Sequence, residues 1–297
     1  MRNLIIKKIF DVMSTNEDVF FLTADMGINL VEPIQDNFPD RFLNVGIAEQ
    51  NLIGVSAGLA NLGYRPFAYT ISNFLIHRCF EQIRNDVSLH DYPITLIGTS
   101  TGFDNAPLGP THHITDDWGV MKGLSNFQVF CPSSMSFAES LISRVLEESR
   151  PTYIRVPKGN PLEPDSVADL VHSGSADTRI VLITYGTLAQ ECLKVQKLNP
   201  EISVIIFNRL YPLDEQLLLE KLKLHEVVIS VEDHFPTTGL YSSICEVVIH
   251  NRLNIEVIAT GPTCAAFEVG GTADYYHQSF GLDSGSLIKQ IEKINGN

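Results

Sequence analysis

The chain has 297 residues, of which 44% are hydrophobic and 19% charged, and its formal net charge is −14. That length suits about two domains with substantial cores, and the composition is that of an ordinary globular protein. The acidic balance argues against a nucleic-acid backbone or an anionic membrane as the main partner, while local arginines could still hold a small anion.

Residues 4–13 have apolar residues at helical spacing and end near Ser14-Thr15-Asn16. Val19-Phe20-Phe21-Leu22-Thr23 is a short apolar run, as in a buried parallel strand. Strands are then expected at 41–45, 66–69, 94–98, 127–131 and 152–156, with helices at 49–62, 74–89, 118–123 and 136–148. The rhythm breaks at residues 157–178, which hold three prolines, two glycines and several acidic residues. Residues 161–178 are accordingly expected to be an interdomain linker. Strands are expected again at 180–184, 203–207, 227–231 and 255–259, and helices at 188–198, 214–222, 240–250 and 286–294. Strand–helix alternation with short connections predicts two consecutive three-layer α/β domains, residues 1–160 and 179–297, each with a mostly parallel sheet. Gly270-Gly271, with no helix signal after it, reads as a turn.

Cys79, Cys131, Cys192, Cys245 and Cys264 are scattered without a C-x-x-C pair and read as free thiols in a reducing compartment. Lys7-Lys8 interrupts the first apolar stretch, no small-residue cleavage site follows, and no run reaches the ~20 apolar residues of a membrane span. A cytoplasmic location is expected.

In open α/β sheets ligands collect at the carboxyl ends of strands, which directs attention to Asp25, Glu49, the segment entering Phe74, the loop 99–113 and Arg155. Glu49 starts a helix written Ala-Glu-Gln-Asn-Leu-Ile-Gly-Val-Ser-Ala-Gly-Leu-Ala-Asn-Leu, whose small and apolar residues read as a buried element. Its carboxylate is either a charge that the free N–H groups and the dipole of a helix start favour, or a functional group whose burial demands a partner. Phe74 is either core or a platform for a flat ligand. Arg155 needs a carboxylate or a bound anion. The loop Thr-Ser-Thr-Gly-Phe-Asp-Asn-Ala-Pro-Leu-Gly-Pro-Thr-His-His is long for a compact domain. Its adjacent His112 and His113 lack the spacing of metal ligands, so no metal site is expected, and proton transfer suits His112 better than a solvent-facing role does. Neither a G-x-G-x-x-G after a strand, nor a P-loop, nor a G-x-S-x-G elbow is present.

Four segments together resemble the transketolase family and 1-deoxyxylulose-5-phosphate synthase. They are Phe42-Leu43-Asn44-Val45-Gly46-Ile47-Ala48-Glu49-Gln50-Asn51, the run from Phe74 through Asp86, Gly109-Pro110-Thr111-His112-His113, and Thr152-Tyr153-Ile154-Arg155-Val156-Pro157-Lys158-Gly159. The likeness is to the family's C-terminal part, the pyrimidine-binding domain plus the C-terminal domain, and covers essentially the whole chain. It implies thiamine diphosphate as cofactor. Glu49 then matches the glutamate at N1′ of the aminopyrimidine, which favours the imino tautomer and so ionisation at C2 of the thiazolium. Phe74 matches the aromatic stacked on that ring. Asp25 lies on a loop that approaches the cofactor in relatives, and His77 falls among the cofactor-binding positions. His112 matches an acid–base histidine for substrate oxygens, and His113 and Arg155 fall with it among the substrate-binding positions.

The resemblance also implies a partner. The diphosphate-binding half, with its Gly-Asp-Gly…Asn metal motif, is missing from this sequence, so diphosphate and Mg²⁺ are expected on an N-terminal transketolase-like subunit, in an α2β2 heterotetramer acting on a sugar or sugar phosphate. The expected reaction is transfer of a two-carbon ketol unit from a ketose donor to an aldehyde acceptor. Two alternatives stand beside it: the β subunit of a 2-oxoacid dehydrogenase E1 component, and a non-catalytic assembly subunit. Leu108 stands where relatives carry an acidic residue, and Thr99-Ser100-Thr101-Gly102 lacks the histidine or arginine of the larger enzymes. Both departures point to a modified or less polar substrate.

Overall fold

The computed structural model describes residues 1–159, 161–162, 166–263 and 271–296, and these form two compact units. Cys264 and Gly270, and part of the stretch expected to be linker, lie outside the described residues. The first unit comprises Met1–Thr101 and Val120–Val167, the second Gly102–Gly119 and Ala168–Asn297.

In the first unit, six parallel strands run in the order β5-β6-β4-β3-β1-β2. They are β1 (Val19–Thr23), β2 (Phe42–Asn44), β3 (Arg65–Ile71), β4 (Thr95–Thr99), β5 (Gln128–Phe130) and β6 (Thr152–Val156). Side chains alternate across a strand, and the sequence uses both faces. Phe21, Phe67, Ile97, Phe130 and Ile154 join one core with Ile5, Ile6, Ile9 and Met13 of helix α1 (Arg2–Met13) and Phe137, Leu141, Ile142 and Val145 of α7 (Met135–Glu148). Leu22, Ala68, Leu96 and Tyr153, their neighbours along the strands, are equally buried on the opposite face. Near-continuous apolar strands are what a sheet covered on both sides requires. The helix α7 starts where the Ser134 hydroxyl accepts the N–H of Phe137 at 3.2 Å.

The remaining helices of the chain's first half are α2 (Glu32–Asn37), α3 (Glu49–Asn61), α4 (Ser72–Ile76), α5 (Phe80–Gln82) and α6 (Asp117–Met121). Two differ from the sequence reading. First, α3 is not buried all round: Leu52, Ile53, Ser56, Ala57 and Ala60 face inward, while Gln50, Asn51, Gly54, Gly58 and Asn61 are exposed. A Cβ at Gly54 or Gly58 would meet nothing within 4 Å, so small size there reflects no close packing within the chain. Second, the single helix expected over 74–89 is three pieces, α4, α5 and a π-helical turn at Ile83–Ser88. Two side-chain contacts accompany the break. The Phe74 carbonyl accepts from the Cys79 thiol at 3.4 Å, and the Arg78 carbonyl accepts from the Gln50 side-chain amide at 3.0 Å.

The second unit has the sheet order β12-β11-β8-β9-β7. Its strands are β7 (Leu170–Ser173), β8 (Ile180–Tyr185), β9 (Ile202–Phe207), β11 (Val227–Val231) and β12 (Glu256–Thr260), and the short strand β10 (Arg209–Tyr211) follows β9 in the chain. All pairs in this sheet are parallel except β7 with β9. The strand β7 lies inside the stretch expected to be linker. Its helices are α8 (Ala189–Leu198), α9 (Glu215–Leu222), α10 (Leu240–His250), α11 (Ala273–Ser279) and α12 (Ser284–Ile294). Among the described residues, no helix is long and apolar enough to cross a membrane.

Candidate functional site

Three adjacent strands of the first unit, β3, β1 and β2, deliver their carboxyl ends side by side. Asp25 follows β1, Glu49 follows β2, and Phe74 follows β3. This is the place where a parallel sheet offers a ligand crevice.

The loops are tied together by Asn44, the last residue of β2. Its side-chain oxygen accepts the N–H of Asp25 at 2.9 Å and that of Gly46 at 3.0 Å. Asp25 has φ +48° and Gly46 φ +75°, both in the left-handed region, so the two turns are sharp. Val45 donates to the Thr23 carbonyl at 2.9 Å and Ala48 to the Gly46 carbonyl at 2.7 Å, which brings the chain round to the first residue of α3.

That residue is Glu49, whose side chain is only 3% exposed. It occupies the helix start, and its buried charge has a partner. Arg78 Nη1 donates to Glu49 Oε2 at 2.5 Å, and the same guanidinium lies over the Phe74 ring, 4.6 Å from its centroid. The cluster Glu49–Arg78–Phe74 is thus carboxylate, flat cation and aromatic face in contact. Burial, with the Glu49 charge second, pushes the neighbouring Cys79 thiol up to about 12, against a smaller opposing effect of Arg78. Sequence reasoning does not single out Arg78. It does single out His77, the residue before it, which is exposed.

Arg155 is the fourth residue of β6 and 1% exposed, in register with Gly98 of β4. Arg155 therefore lies inside β6, one residue before its carboxyl end at Val156, in the strand expected over 152–156. His112 and His113 belong to the second unit. The Thr111 hydroxyl lies 2.9 Å from His112 Nδ1, and the His112 N–H reaches the Gly109 carbonyl at 3.0 Å. His113 meets Phe103 and Tyr276 edge-on, with ring centroids 5.3 and 4.9 Å away, and burial lowers its pKa. It is a packing residue of the aromatic cluster Phe103–Tyr276–Phe280. Leu108 is 60% exposed on the same loop. Among the described residues, no group of three or more His, Cys, Asp or Glu could hold a metal ion.

Residues 1–162 match the family model for the transketolase pyrimidine-binding domain, and residues 170–284 that for the transketolase C-terminal domain. The chain belongs to the transketolase family. Within it, this transketolase-family chain is 28% identical to one subunit of the apulose-4-phosphate transketolase of Actinobacillus succinogenes, over 99% of its own length and 98% of that protein's. It is 27% identical to the 1-deoxy-D-xylulose-5-phosphate synthase of Rhodopirellula baltica, over 84% of its own length but 40% of the synthase. A solved structure described as a split gene transketolase, inactive beta4 tetramer, superposes with a TM-score of 0.85 at 26% identity, covering 98% of this chain and 97% of that one. The expected family and two-domain α/β architecture therefore hold. Transketolases and 1-deoxy-D-xylulose-5-phosphate synthases use thiamine diphosphate.

Proposed function

We propose that this chain is the pyrimidine-binding subunit of a split, thiamine-diphosphate-dependent transketolase-type enzyme. In this reading it moves a two-carbon ketol unit from a ketose donor to an aldehyde acceptor, in an α2β2 assembly with a subunit that supplies the diphosphate and Mg²⁺ site. The observation that carries the reading is Glu49: a carboxylate 3% exposed, at a helix start, beside an aromatic face at the ends of three adjacent parallel strands. Likeness over nearly full length to a single subunit of a transketolase, and to a split gene product described as an inactive tetramer, supports dependence on a partner.

The residues present fit one half of the cofactor. The Glu49–Phe74 pair already accepts a flat N–H donor, the Arg78 guanidinium, which is the shape and polarity of an aminopyrimidine edge. When bound, the cofactor supplies a nucleophilic carbon and then an electron sink. Glu49 would hold a proton at a ring nitrogen of the bound cofactor. Phe74 fixes the plane of the ring, and the Asp25 loop, with His77 beyond α4, borders the site.

His112, whose Nδ1 faces Thr111, exchanges protons with substrate oxygens through Nε2. His113 supports it from the aromatic cluster, and Arg155 acts on a substrate anion through the groups that cover it. The exposed apolar Leu108 supports a substrate less polar at that point than the usual sugar phosphates, and the relative named for apulose 4-phosphate supports a sugar phosphate as substrate class.

Replacing Glu49 by Gln tests the reading in the complex reconstituted with its partner subunit. Turnover should fall by ~10²-fold or more, the scale of a lost proton-transfer group. Turnover kept by Glu49→Gln would remove Glu49 as activator and the catalytic reading with it. Full activity of the wild-type pair on xylulose 5-phosphate and ribose 5-phosphate would refute the altered substrate preference.

A further inference from the structure

Arg78 is held at both ends by the first turn of α3. Its carbonyl accepts the Gln50 side-chain amide at 3.0 Å, and its guanidinium donates to Glu49 while lying on Phe74. The backbone is fixed, yet the side chain is 45% exposed, so the guanidinium can leave toward solvent without moving the turn.

What it covers is the pair of groups assigned above to the cofactor's pyrimidine ring, and the inference rests on that assignment. A ring sharing a proton with Glu49 and stacking on Phe74 must be flat, must carry an N–H toward the carboxylate, and is cationic while it holds the proton. A guanidinium is all three. Two such groups cannot stack on the same face of Phe74 together.

We propose that Arg78 is a latch on the pyrimidine subsite: its guanidinium fills the place of the aminopyrimidine in the partner-free chain and must swing out for the cofactor to enter. The latch offsets the burial of Glu49 while the subsite holds no ring, and it lowers the affinity of the subsite by the fraction of time it stands open. If it is closed nine-tenths of the time, the penalty is about tenfold.

The test uses the full chain and one probe, 4-amino-5-hydroxymethyl-2-methylpyrimidine, titrated by calorimetry. Arg78→Ala should bind it at least about tenfold more tightly than wild type. Arg78→Met, which keeps the aliphatic stem but no N–H, should do the same and stands in if the alanine variant does not fold. In wild type, saturating probe should speed solvent exchange of the Arg78 guanidinium protons, read by nitrogen-15 NMR, a measurement that needs no variant. Equal or weaker binding by the Arg78 variants, no binding by any chain, or unchanged exchange at saturation would each overturn the latch. These outcomes are separate from the Glu49→Gln turnover test: a dead Glu49→Gln complex with equal probe affinities removes the latch alone, whereas an active one removes the reading beneath it.

Discussion

Gln50 Nε2 donates to the carbonyl of Arg78 at 3.0 Å, joining the first turn of α3 to the turn after α4 across 28 residues of sequence. One neutral hydrogen bond of this kind contributes about 0.5–1.5 kcal/mol net. Gln50→Leu should lower unfolding stability by that amount in urea denaturation. Gln50→Lys, which keeps a donor, should retain most of it. Identical midpoints for wild type and Gln50→Leu would show that the tie contributes nothing.

Gly239 stands against a buried carboxylate. Glu232, fully buried, accepts the N–H groups of Leu240 and Tyr241 at 2.7 and 2.9 Å, at the start of α10. A Cβ at Gly239 would fall 2.0 Å from Glu232 Oε2 and 2.7 Å from His234 Nδ1. Gly239→Ala must therefore displace the group that satisfies the helix start, at a cost of ~1–3 kcal/mol for the overpacking alone. Denaturant midpoints should register this as a clear loss, and a variant as stable as wild type would mean that the carboxylate has room to retreat.

The second unit should lose stability in mild acid. Burial lowers the pKa of His225 against a smaller opposing hydrogen bond from Thr178, and burial, then Lys221 and His225, lowers that of His172. Their folded values lie below the unfolded value of ~6.5, so between the two the unfolded chain binds more protons than the fold. Stability is then whole above about pH 6.5 and declines as the pH falls through the depressed values. Urea midpoints at pH 7.5, 6.5 and 5.5 should fall in that order, and His225→Gln should flatten the decline. A decline of unchanged slope in His225→Gln would assign the acid sensitivity to other groups.

The parts of this molecule that are legible in its sequence are those decided locally. The strands β1 and β6 have the limits their residues predict because each is a short run rich in β-branched and aromatic residues between turn-forming neighbours. Glu49 is legible as a helix start, since small residues follow it at helical spacing. Two elements depend on distant partners and escape a reading of the sequence. Leu170–Ser173 carries too few apolar residues to stand out from its proline-rich surroundings and becomes a strand only by pairing antiparallel with β9. Arg78 lies in an apparent helix, and only the break at Cys79, where the Gln50 side chain from another helix meets the Arg78 carbonyl, swings its guanidinium onto Phe74 and Glu49.

The shared acceptor at Asn44 has one more consequence. The Asp25 turn and the Gly46 turn hang from the same oxygen atom, so neither can shift outward without loosening the anchor of the other. Whatever tugs on Asp25 is felt at the approach to Glu49 with the sheet beneath unmoved, and the rim of the crevice answers as one piece.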